Sequence, residues 1–335
     1  MLITQTPYRV SFAGGGTDLP SFYELEYGAV LSAAINMHMY VTVSPRFDRT
    51  VRVAYTQTEI TEGIEPLQHE LVREALRITN FSKHIEVTTV GDLPGGTGMG
   101  SSSSLTVGLL QALYAFRGQI VPTERIAEEA CRIEIEMLGK PIGKQDQYAA
   151  AFGGLNYMRF NPSGAVYVEP VPCRTETIDS LEARTLLFYT AQQRSADEIL
   201  MKQSAATRTK IDVLRRMRDI AGEMRRNLGG NADLDAFAEL LHEAWQLKRS
   251  LGFGISNTMI DTWYERARAA GATGGKLLGA GGGGFLLLMA PPERHEAIRA
   301  ALGRPREITF NVDLRGSRVI FISAHQSLSR DMCFS

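Results

Sequence analysis

Cysteine, net charge and long apolar runs are all scarce in this chain of 335 residues. Its three cysteines, Cys131, Cys173 and Cys333, form no Cys-x-x-Cys pair, so we expect neither a disulfide framework nor a cysteine zinc site. The net charge of -1 gives no reason to expect a nucleic-acid partner. Because there is no run of about 18 apolar residues and no basic N-terminal segment before an apolar core, we expect a cytoplasmic protein that does not bind membranes.

The chain also has no Walker A loop, the phosphate-binding pattern Gly-x-x-x-x-Gly-Lys-Ser/Thr. It has instead a glycine-rich turn that runs directly into four serines. The alternating residues 85–90 before the turn predict a strand, and the apolar pattern of residues 105–114 predicts a helix. Backbone N–H groups of such a turn attract phosphate, whereas a flexible serine-glycine linker does not usually precede an apolar helix. We predict the phosphate-binding loop of a kinase, formed by Pro94, Gly95, Gly96, Gly98, Gly100, Ser101, Ser102 and Ser103.

A second glycine-rich segment, residues 274–284, precedes the apolar strand predicted at residues 285–289. Its glycines at 279, 281 and 284 match Gly-x-Gly-x-x-Gly, but a dinucleotide-binding fingerprint follows a strand and opens a helix. Here a predicted helix comes first and a strand follows, so we do not expect an oxidoreductase. Such glycines allow the backbone to approach either a neighbouring loop or a nucleotide closely, and the pattern leaves both uses open.

Asp18 and Asp146 each stand at a predicted helix start. Asp18 follows an alternating strand and three glycines, and it either caps a short helix over residues 21–26 or accepts hydrogen bonds from sugar hydroxyls. Asp146 stands where a run of small apolar residues begins. From the pattern alone, a helix cap is the favoured role of Asp146, with partial desolvation of its carboxylate as the alternative.

An amphipathic helix is predicted over residues 123–138, with Thr123 as its cap. Its apolar face carries Ile126, Ala130, Ile133 and Met137, and two glutamates, Glu134 and Glu136, flank that face. Helical phase alone does not distinguish the two glutamates. Three further helices are predicted, over residues 205–228, 235–251 and 256–270.

Three segments together resemble the GHMP kinase family, which includes galactokinase, homoserine kinase, mevalonate kinase and phosphomevalonate kinase. Residues 9–18 are similar to the family's first motif, 94–104 to its glycine-serine second motif, and 276–285 to its glycine-rich third motif. The resemblance implies a two-lobed α+β fold, with a ribosomal-protein-S5-like N-terminal lobe and a ferredoxin-like C-terminal lobe. These lobes would span residues 1–178 and 179–335. The resemblance also implies ATP and Mg²⁺ as cofactors.

The family's functional residues carry over onto five positions of this sequence. Asp146 would accept the proton of the attacking sugar hydroxyl or orient it, and Arg9 would lie near the reacting oxygen. Glu134 lies twelve residues before Asp146 and, with Ser102, would bind Mg²⁺; Ser101 and Ser103 are the alternatives to Ser102. Asp18 would hold sugar hydroxyls. The remaining implied contacts are Gly15, Gly16, Thr17 and Lys276 for the substrate, and Gly281 and Gly282 for the nucleotide.

Within the family, residues 14–20 and 143–148 are most similar to kinases that phosphorylate D-glycero-D-manno-heptose 7-phosphate at the anomeric hydroxyl. Galactokinases have Gly-Glu-His-Thr-Asp and fucokinases Gly-Gly-Trp-Ser-Asp at positions 14–18, so the glycine pair Gly15-Gly16 departs from both patterns. We therefore expect an enzyme that makes the 1,7-bisphosphate for nucleotide-activated heptose and surface polysaccharide. Another sugar 1-kinase, similar to fucokinase or galactokinase, and a non-catalytic sugar and ATP sensor are the alternatives.

The phosphate already on such a substrate requires a cationic group. Arg194 is the candidate, because it follows a predicted strand near the expected lobe border and a guanidinium can hold phosphate through two parallel hydrogen bonds. Lys140, Lys144 and Lys276 are alternatives. The expected partners are ATP and a small sugar phosphate, and we expect the chain to act alone or as a homodimer.

Overall fold

Two β-sheets organise the computed structural model, which describes residues 1–192, 196–252 and 254–323. Its strands are β1 (Leu2–Ala13), β2 (Gly28–Pro45), β3 (Val51–Ala54), β4 (Thr58–Thr61), β5 (Ile85–Gly91), β6 (Leu155–Phe160), β7 (Val166–Pro170), β8 (Thr185–Tyr189), β9 (Gly274–Leu277), β10 (Phe285–Met289), β11 (Glu307–Ile308) and β12 (Arg318–Ile322). Its helices are α1 (Pro20–Tyr23), α2 (Glu70–Ile78), α3 (Ser101–Phe116), α4 (Thr123–Cys131), α5 (Gln145–Phe152), α6 (Thr175–Arg184), α7 (Ala196–Ala205), α8 (Ile211–Gly229), α9 (Leu234–Ser250), α10 (Thr258–Ala269) and α11 (His295–Ala301). A π-helical segment, Arg132–Met137, continues α4, and 3-10 turns lie at Thr207–Lys210 and Pro292–Arg294. Within the described ranges, no helix combines the length and the apolar character that a membrane crossing requires.

The first sheet is built on the hairpin of β1 and β2. Its strand order is β12-β1-β2-β5-β3-β4, and β6 pairs with β2 and carries β7 on its other side. The 18-residue β2 is long enough to pair with β5 through residues 39–45 and with β6 through residues 28–33. Helices α2, α3, α4 and α5 contribute apolar side chains to the core of this lobe. The sheet and these helices form the N-terminal lobe.

A register shift shapes the end of β1 that leads to the first glycine motif. The pairing of β1 with β2 shifts between Pro7 and Tyr8, directly before Arg9. Such an irregularity bends a strand and re-aims the side chains that follow. Beyond it, the N–H of Arg9 donates a hydrogen bond to the carbonyl of Met99 at 3.1 Å. This bond makes the first motif a neighbour of the serine-glycine loop.

The second sheet has the order β11-β8-β10-β9, with every pair antiparallel. In chain order its strands stand as fourth, first, third and second, with helices between the first two and between the last two, which is the ferredoxin-like arrangement. Both faces are buried: Leu187 and Leu287 belong to the core shared with the first lobe, whereas Leu186 and Leu288 belong to an outer core with Trp245. The predicted two-lobed α+β architecture is confirmed.

A helix links the two sheets near the predicted lobe border. α6 follows β7 of the first sheet and leads into β8 of the second. The last described strand differs from the prediction, because β12 returns to the first sheet and pairs antiparallel with β1. Residues 318–322 therefore join the N-terminal lobe, contrary to the predicted span 179–335. The border at 178 itself stays a prediction.

The helix predicted over residues 123–138 is continuous but not α-helical throughout. After α4, the six residues Arg132–Met137 form π-helical turns. Thr123 is not the N-cap of α4. The N-cap residue is Pro122, and no side chain forms a capping hydrogen bond with the first turn. The wider π turns change the phase of the side chains. Met137 is consequently 37% exposed, contrary to its predicted place on the buried face.

The helix predicted over residues 205–228 is divided in two. α7 ends at Ala205, and a 3-10 turn separates it from α8, which begins at Ile211. α7 contacts α1 and so brings a segment of the C-terminal half beside the first glycine motif. The helices predicted over 235–251 and 256–270 are confirmed as α9 and α10, with ends that agree within two residues.

Candidate active site

A cavity of about 240 Å³ lies where the three glycine-rich motifs meet. β1 and the loop after it, the start of α3 and the start of α5 line it from the first lobe, and α7, α9 and β9 with its following turn line it from the second. A cleft between lobes is a common place for a small ligand. The predicted site residues that line this cavity are Arg9, Gly15, Gly16, Asp18, Gly96, Gly98, Gly100, Ser101, Ser102, Ser103, Asp146 and Lys276.

The serine-glycine loop presents backbone N–H groups at the start of α3. Gly96, Gly98 and Gly100 adopt left-handed φ angles of 74°, 75° and 76°, a conformation that glycine adopts without strain. A backbone of this kind turns successive N–H groups inward and forms an anion-binding concavity. Gly100 is the N-cap of α3 and has no side chain to cap the first turn. Pro94 and Gly95 lie on the exposed side of the loop.

The third glycine motif packs directly against this loop. A Cβ on Gly279 would lie 2.5 Å from the Cα of Gly98, and a Cβ on Gly284 would lie 2.3 Å from the carbonyl oxygen of Thr97. Protein atoms do not pack so closely without displacement. These glycines therefore serve a close contact between loops of the two lobes, which is one of the two uses that the sequence leaves open.

Gly281 and Gly282, predicted to bind the nucleotide, lie against the segment before α10. A Cβ on Gly281 would lie 2.7 Å from the Cα of Ile255, and the N–H of Gly282 donates to the Ile255 carbonyl at 2.9 Å. The cavity is lined by Gly279 and Ala280 from the same motif. The N–H of Gly282 is thus bonded within the protein, and a role for these two glycines at a nucleotide stays a prediction.

Arg9 and Asp146 form a two-point ion pair on the cavity wall. The guanidinium Nε donates to Oδ1 at 2.7 Å and Nη2 donates to Oδ2 at 2.6 Å, while Nη1 donates to the Gly98 carbonyl at 2.6 Å. The arginine side chain is 5% exposed and the aspartate side chain 22%. Asp146 stands in the first turn of α5 but does not cap it, since Lys144 is the N-cap. The ion pair fixes this carboxylate beside the phosphate loop.

The π-helical segment directs Glu134 into the protein and leaves Glu136 exposed. Glu134 is 1% exposed and accepts hydrogen bonds from Ser102 Oγ at 2.6 Å and from Gln147 Nε2 at 2.6 Å. Burial raises the pKa of its carboxyl to about 7, an effect that these hydrogen bonds only partly offset. Both bonded partners are neutral, and a carboxylate beside a hydroxyl offers the oxygen ligands that Mg²⁺ prefers. The Glu134 and Ser102 pair therefore fits a Mg²⁺ ion.

Asp18 lines the same cavity. Its Oδ1 accepts a hydrogen bond from the N–H of Gly16 at 2.8 Å, and its Oδ2 accepts one from Gln145 Nε2 at 3.0 Å. Burial raises the pKa of this carboxyl, because the charged form loses its water. Asp18 does not cap α1, whose N-cap is Leu19 and makes no side-chain bond. The first alternative for Asp18 is therefore wrong, and its carboxylate is held on a rigid loop at the cavity.

Thr17 is predicted to contact the substrate, but its polar group is used within the loop. The residue is fully buried, and its hydroxyl donates to the Gly14 carbonyl at 2.8 Å and accepts from the Ala29 N–H at 3.0 Å. These bonds hold the shape of the glycine loop. Gly15 and Gly16, in contrast, lie on the cavity surface.

Two buried lysines adjoin the ion pair, and the sequence prediction named only one. Lys276 donates to the carbonyls of Ser11 at 2.6 Å and Phe12 at 3.2 Å, so it fastens β9 to β1. Lys248 on α9 donates to the Gly279 carbonyl and also lines the cavity. Burial lowers the pKa of both ammonium groups, and that of Lys248 falls to about 8.

The position of Lys248 within the apolar pattern of α9 indicates from the sequence that this lysine is buried. Lys248 lies seven residues after Leu241 and three after Trp245, which places it on the buried face of α9. A charge at such a position is costly unless it has a partner or a ligand. A lysine at a buried position of a helix therefore indicates a binding site. The apolar pattern of the helix by itself predicts only core packing.

Among the described cations predicted for a substrate phosphate, Lys276 lines the cavity, whereas Lys140 and Lys144 do not. Arg194 lies outside the described residues. Lys140 forms an ion pair with Glu70 at 2.5 Å, and Lys144 donates to the Gly164 carbonyl at 2.7 Å. Both lysines thus have partners elsewhere, and Arg194 stays a prediction.

Comparison with known proteins agrees with this geometry. The GHMP kinases N terminal domain matches residues 68–154, and the GHMP kinases C terminal domain matches residues 220–306. The D-glycero-alpha-D-manno-heptose 7-phosphate kinase of Campylobacter jejuni is 31% identical over 329 residues, which cover 92% of this chain and 96% of that protein. The crystal structure of a D-glycero-D-manno-heptose 1-phosphate kinase from Bacteriodes thetaiotaomicron matches with a TM-score of 0.81 and 26% identity, covering 97% of this chain and 100% of that one.

The likeness extends to a sugar kinase with a free sugar bound. The Lactococcus lactis galactokinase crystallised with galactose has a TM-score of 0.76 at 19% identity, over 95% of this chain and 94% of that one, and this likeness concerns the fold alone. The two domain matches cover just over half of the chain, and the Campylobacter protein aligns with nearly all of it. The chain therefore belongs to the GHMP kinases, a family of ATP-dependent phosphotransferases with an alcohol group as acceptor.

Proposed function

We propose that this chain transfers the γ-phosphoryl group of ATP to the anomeric hydroxyl of D-glycero-D-manno-heptose 7-phosphate. The product is the 1,7-bisphosphate, a precursor for nucleotide-activated heptose and surface polysaccharide. The similarity to the Campylobacter and Bacteriodes kinases supports this choice, since both names specify the same heptose. Those names differ in the position of the phosphate that the sugar already carries, so the two monophosphates must be compared directly.

The observation that carries the proposal is the Asp146 carboxylate, held by Arg9 beside the phosphate loop and in the same cavity as Asp18. Phosphoryl transfer requires an acceptor hydroxyl in line with the leaving oxygen, and positioning supplies much of the rate enhancement. A sugar held by Asp18 would present its hydroxyl to Asp146. Because Asp146 already accepts two charge-assisted hydrogen bonds, we infer that it mainly orients this hydroxyl and accepts its proton late.

Glu134 and Ser102 would hold Mg²⁺ at the start of α3. A bound Mg²⁺ supplies neutralisation of the charge on the ATP phosphates. The N–H groups of Gly98 and Gly100 and of the first turn of α3 would hold the phosphate oxygens on the other side. Lys276 contributes indirectly, because its ammonium fastens the two lobes around the site.

The test is ADP release with Mg-ATP and a panel of sugars. The panel contains the heptose 7-phosphate, the heptose 1-phosphate, the free heptose, fucose and galactose, with an Asp146→Asn variant as the inactive reference. Turnover with the 7-phosphate alone, and a product phosphorylated at position 1 by ³¹P NMR, is the expected result. Turnover with fucose or galactose assigns another 1-kinase, and sugar binding without turnover assigns the sensor.

We also propose that the reaction takes place in the cytoplasm, where ATP is supplied, and that the chain works alone or as a homodimer. The two described cysteines, Cys131 and Cys173, are unpaired, which is compatible with a reducing compartment. Sedimentation of the purified protein with and without Mg-ATP tests the assembly, and cell fractionation tests the location.

A further inference from the structure

One wall of the cavity is formed by α7, which no sequence motif identified. Gln203 on this helix is 4% exposed and lines the cavity. Its amide nitrogen is fully buried, and no hydrogen-bond acceptor among the described residues bonds it. A buried donor without a partner costs free energy comparable with a lost hydrogen bond. The position of this donor in a ligand cavity points to an acceptor supplied by the ligand.

The amide of Gln203 occupies the space that a side chain on residue 16 would need. A Cβ on Gly16 would lie 2.0 Å from the Gln203 Nε2, and the φ of Gly16 is 101°, where other residues are strained. A Cβ on Gly15 would point toward Ser11 Oγ at 3.8 Å and Gln145 Nε2 at 3.6 Å. Those are ordinary contact distances, so Gly16, where the galactokinase pattern has histidine and the fucokinase pattern tryptophan, is the residue that leaves the space for Gln203.

Two further polar atoms at the cavity have the same unpaired character. Ser11 Oγ, on a residue that is 5% exposed, and Gln145 Oε1 are both buried without a partner among the described residues. Both residues line the cavity with Asp18, whose carboxylate accepts hydrogen bonds. The set combines one donor, two acceptors and a hydroxyl. Sugar hydroxyls both donate and accept, so a polyhydroxylated ligand has the groups that these atoms require.

We propose that Gln203 is a specificity-determining residue whose amide donates a hydrogen bond to a hydroxyl of the sugar, and that Gly16 provides the room for it. The proposal rests on the proposed function, since it concerns the acceptor of the same reaction. Asp18 contacts the sugar from the N-terminal lobe and Gln203 from the C-terminal half. A sugar that bonds both residues therefore links the two parts of the cleft.

The test is a Gln203→Met variant, which keeps the length of the side chain and removes its amide. The control is Met201→Ala, on the same helix and 61% exposed in the native protein. We expect Gln203→Met to raise the KM for heptose 7-phosphate about tenfold and to leave the KM for ATP unchanged. The thermal midpoint of the unliganded protein should not fall, because the substitution removes a buried donor that has no partner among the described residues. The control should change none of the three. If Gln203→Met does not fold, Gln203→Asn, whose shorter amide retracts the donor, takes its place.

Monodeoxy analogues of the sugar separate a direct bond from a structural effect. If Gln203 bonds one hydroxyl, the wild type should discriminate against one analogue about tenfold and the variant should lose that discrimination only. Equal discrimination in both proteins, or an unchanged KM, overturns the proposal. If the wild type prefers another sugar, or turns over none, the proposed function fails. If the wild type prefers another sugar, wild type and Gln203→Met are compared with that sugar. If neither protein turns over a sugar, their Kd values for heptose 7-phosphate are compared by calorimetry. The assignment of Gln203 is thus tested separately from the proposed function.

Discussion

Two acidic regions border the phosphate loop: the start of α5, which carries Asp146, and the π-helical segment, which carries Glu134. Asp146 is held by the guanidinium of Arg9, so its charge is balanced within the protein. Glu134 is more deeply buried and is held by a neutral hydroxyl and a neutral amide. The negative charge of Asp146 therefore has a cationic partner within the protein, whereas the bonded partners of Glu134 are neutral.

This difference separates two tasks that carboxylates perform in phosphoryl transfer. A carboxylate paired with arginine keeps a fixed position and orients a nucleophile. A buried carboxylate with neutral partners carries a desolvation cost that a bound cation would offset. The two residues are twelve positions apart in the sequence, and their residue types alone do not distinguish these tasks.

The largest expected effect comes from removing the charge of Asp146. In Asp146→Asn we expect kcat to fall about 10³-fold, because the acceptor hydroxyl loses its orienting group and its proton acceptor. The KM for ATP should stay within about twofold, since the phosphate loop is unchanged. ADP release and nucleotide titration measure both quantities. An unchanged kcat removes Asp146 from the catalytic role.

The pKa of about 7 for Glu134 predicts how stability depends on pH without Mg²⁺. The folded chain holds this proton more tightly than the unfolded chain, whose carboxyl has a value near 4.5. The contribution is therefore fully present below about pH 4.5 and is lost as pH rises through about 7, by about 3 kcal/mol in the free energy of unfolding. Urea unfolding of the wild type and Glu134→Gln across this range should give curves that diverge, and parallel curves contradict the assignment.

Replacing Arg9 leaves the Asp146 carboxylate without a cationic partner, as Glu134 is in the native protein. In Arg9→Met we expect kcat to fall about 10²-fold, because the carboxylate loses its fixed position and the Gly98 carbonyl loses its donor. Arg9→Lys keeps the charge without the two-point geometry and should fall between the two proteins. Steady-state kinetics and thermal unfolding are the measurements. A lysine variant that equals the wild type shows that charge, rather than geometry, is what Asp146 requires.

The smallest expected effect is a change in the Mg²⁺ requirement when Glu134 loses its charge. In Glu134→Gln we expect the Mg²⁺ concentration for half-maximal activity to rise about tenfold, since one oxygen ligand loses its charge. Glu136→Gln is the matched control, because Glu136 is exposed two residues away. Activity measured as a function of Mg²⁺ concentration at fixed ATP gives this value for both variants. Equal requirements in the two variants contradict a metal-binding role for Glu134.

Local patterns in the sequence were sufficient for much of this site. The serines and glycines of the phosphate loop could be predicted because strand, turn and helix follow one another in the chain. The structure brings Arg9, Asp18 and Asp146 to one cavity, as the resemblance implies. Local pattern erred for Asp146 and Thr123, which were expected as helix caps and are not, because capping signals describe a single helix end and not the contacts across it.

The sequence by itself determined the strand, turn and helix around the phosphate loop, the helices α9 and α10, the three glycine-rich motifs, and the acidic residues available for catalysis. The two-lobed fold followed from the resemblance that those motifs carry. Tertiary structure decided which glutamate faces inward, since the π turns after α4 reset the helical phase between Glu134 and Glu136. It also placed Lys248 and Gln203 at the cavity, although each lies more than a hundred residues from the first glycine motif. The physical reason is that periodicity reports which side of an element is buried, whereas the partner across the cleft is fixed only when the two lobes pack together.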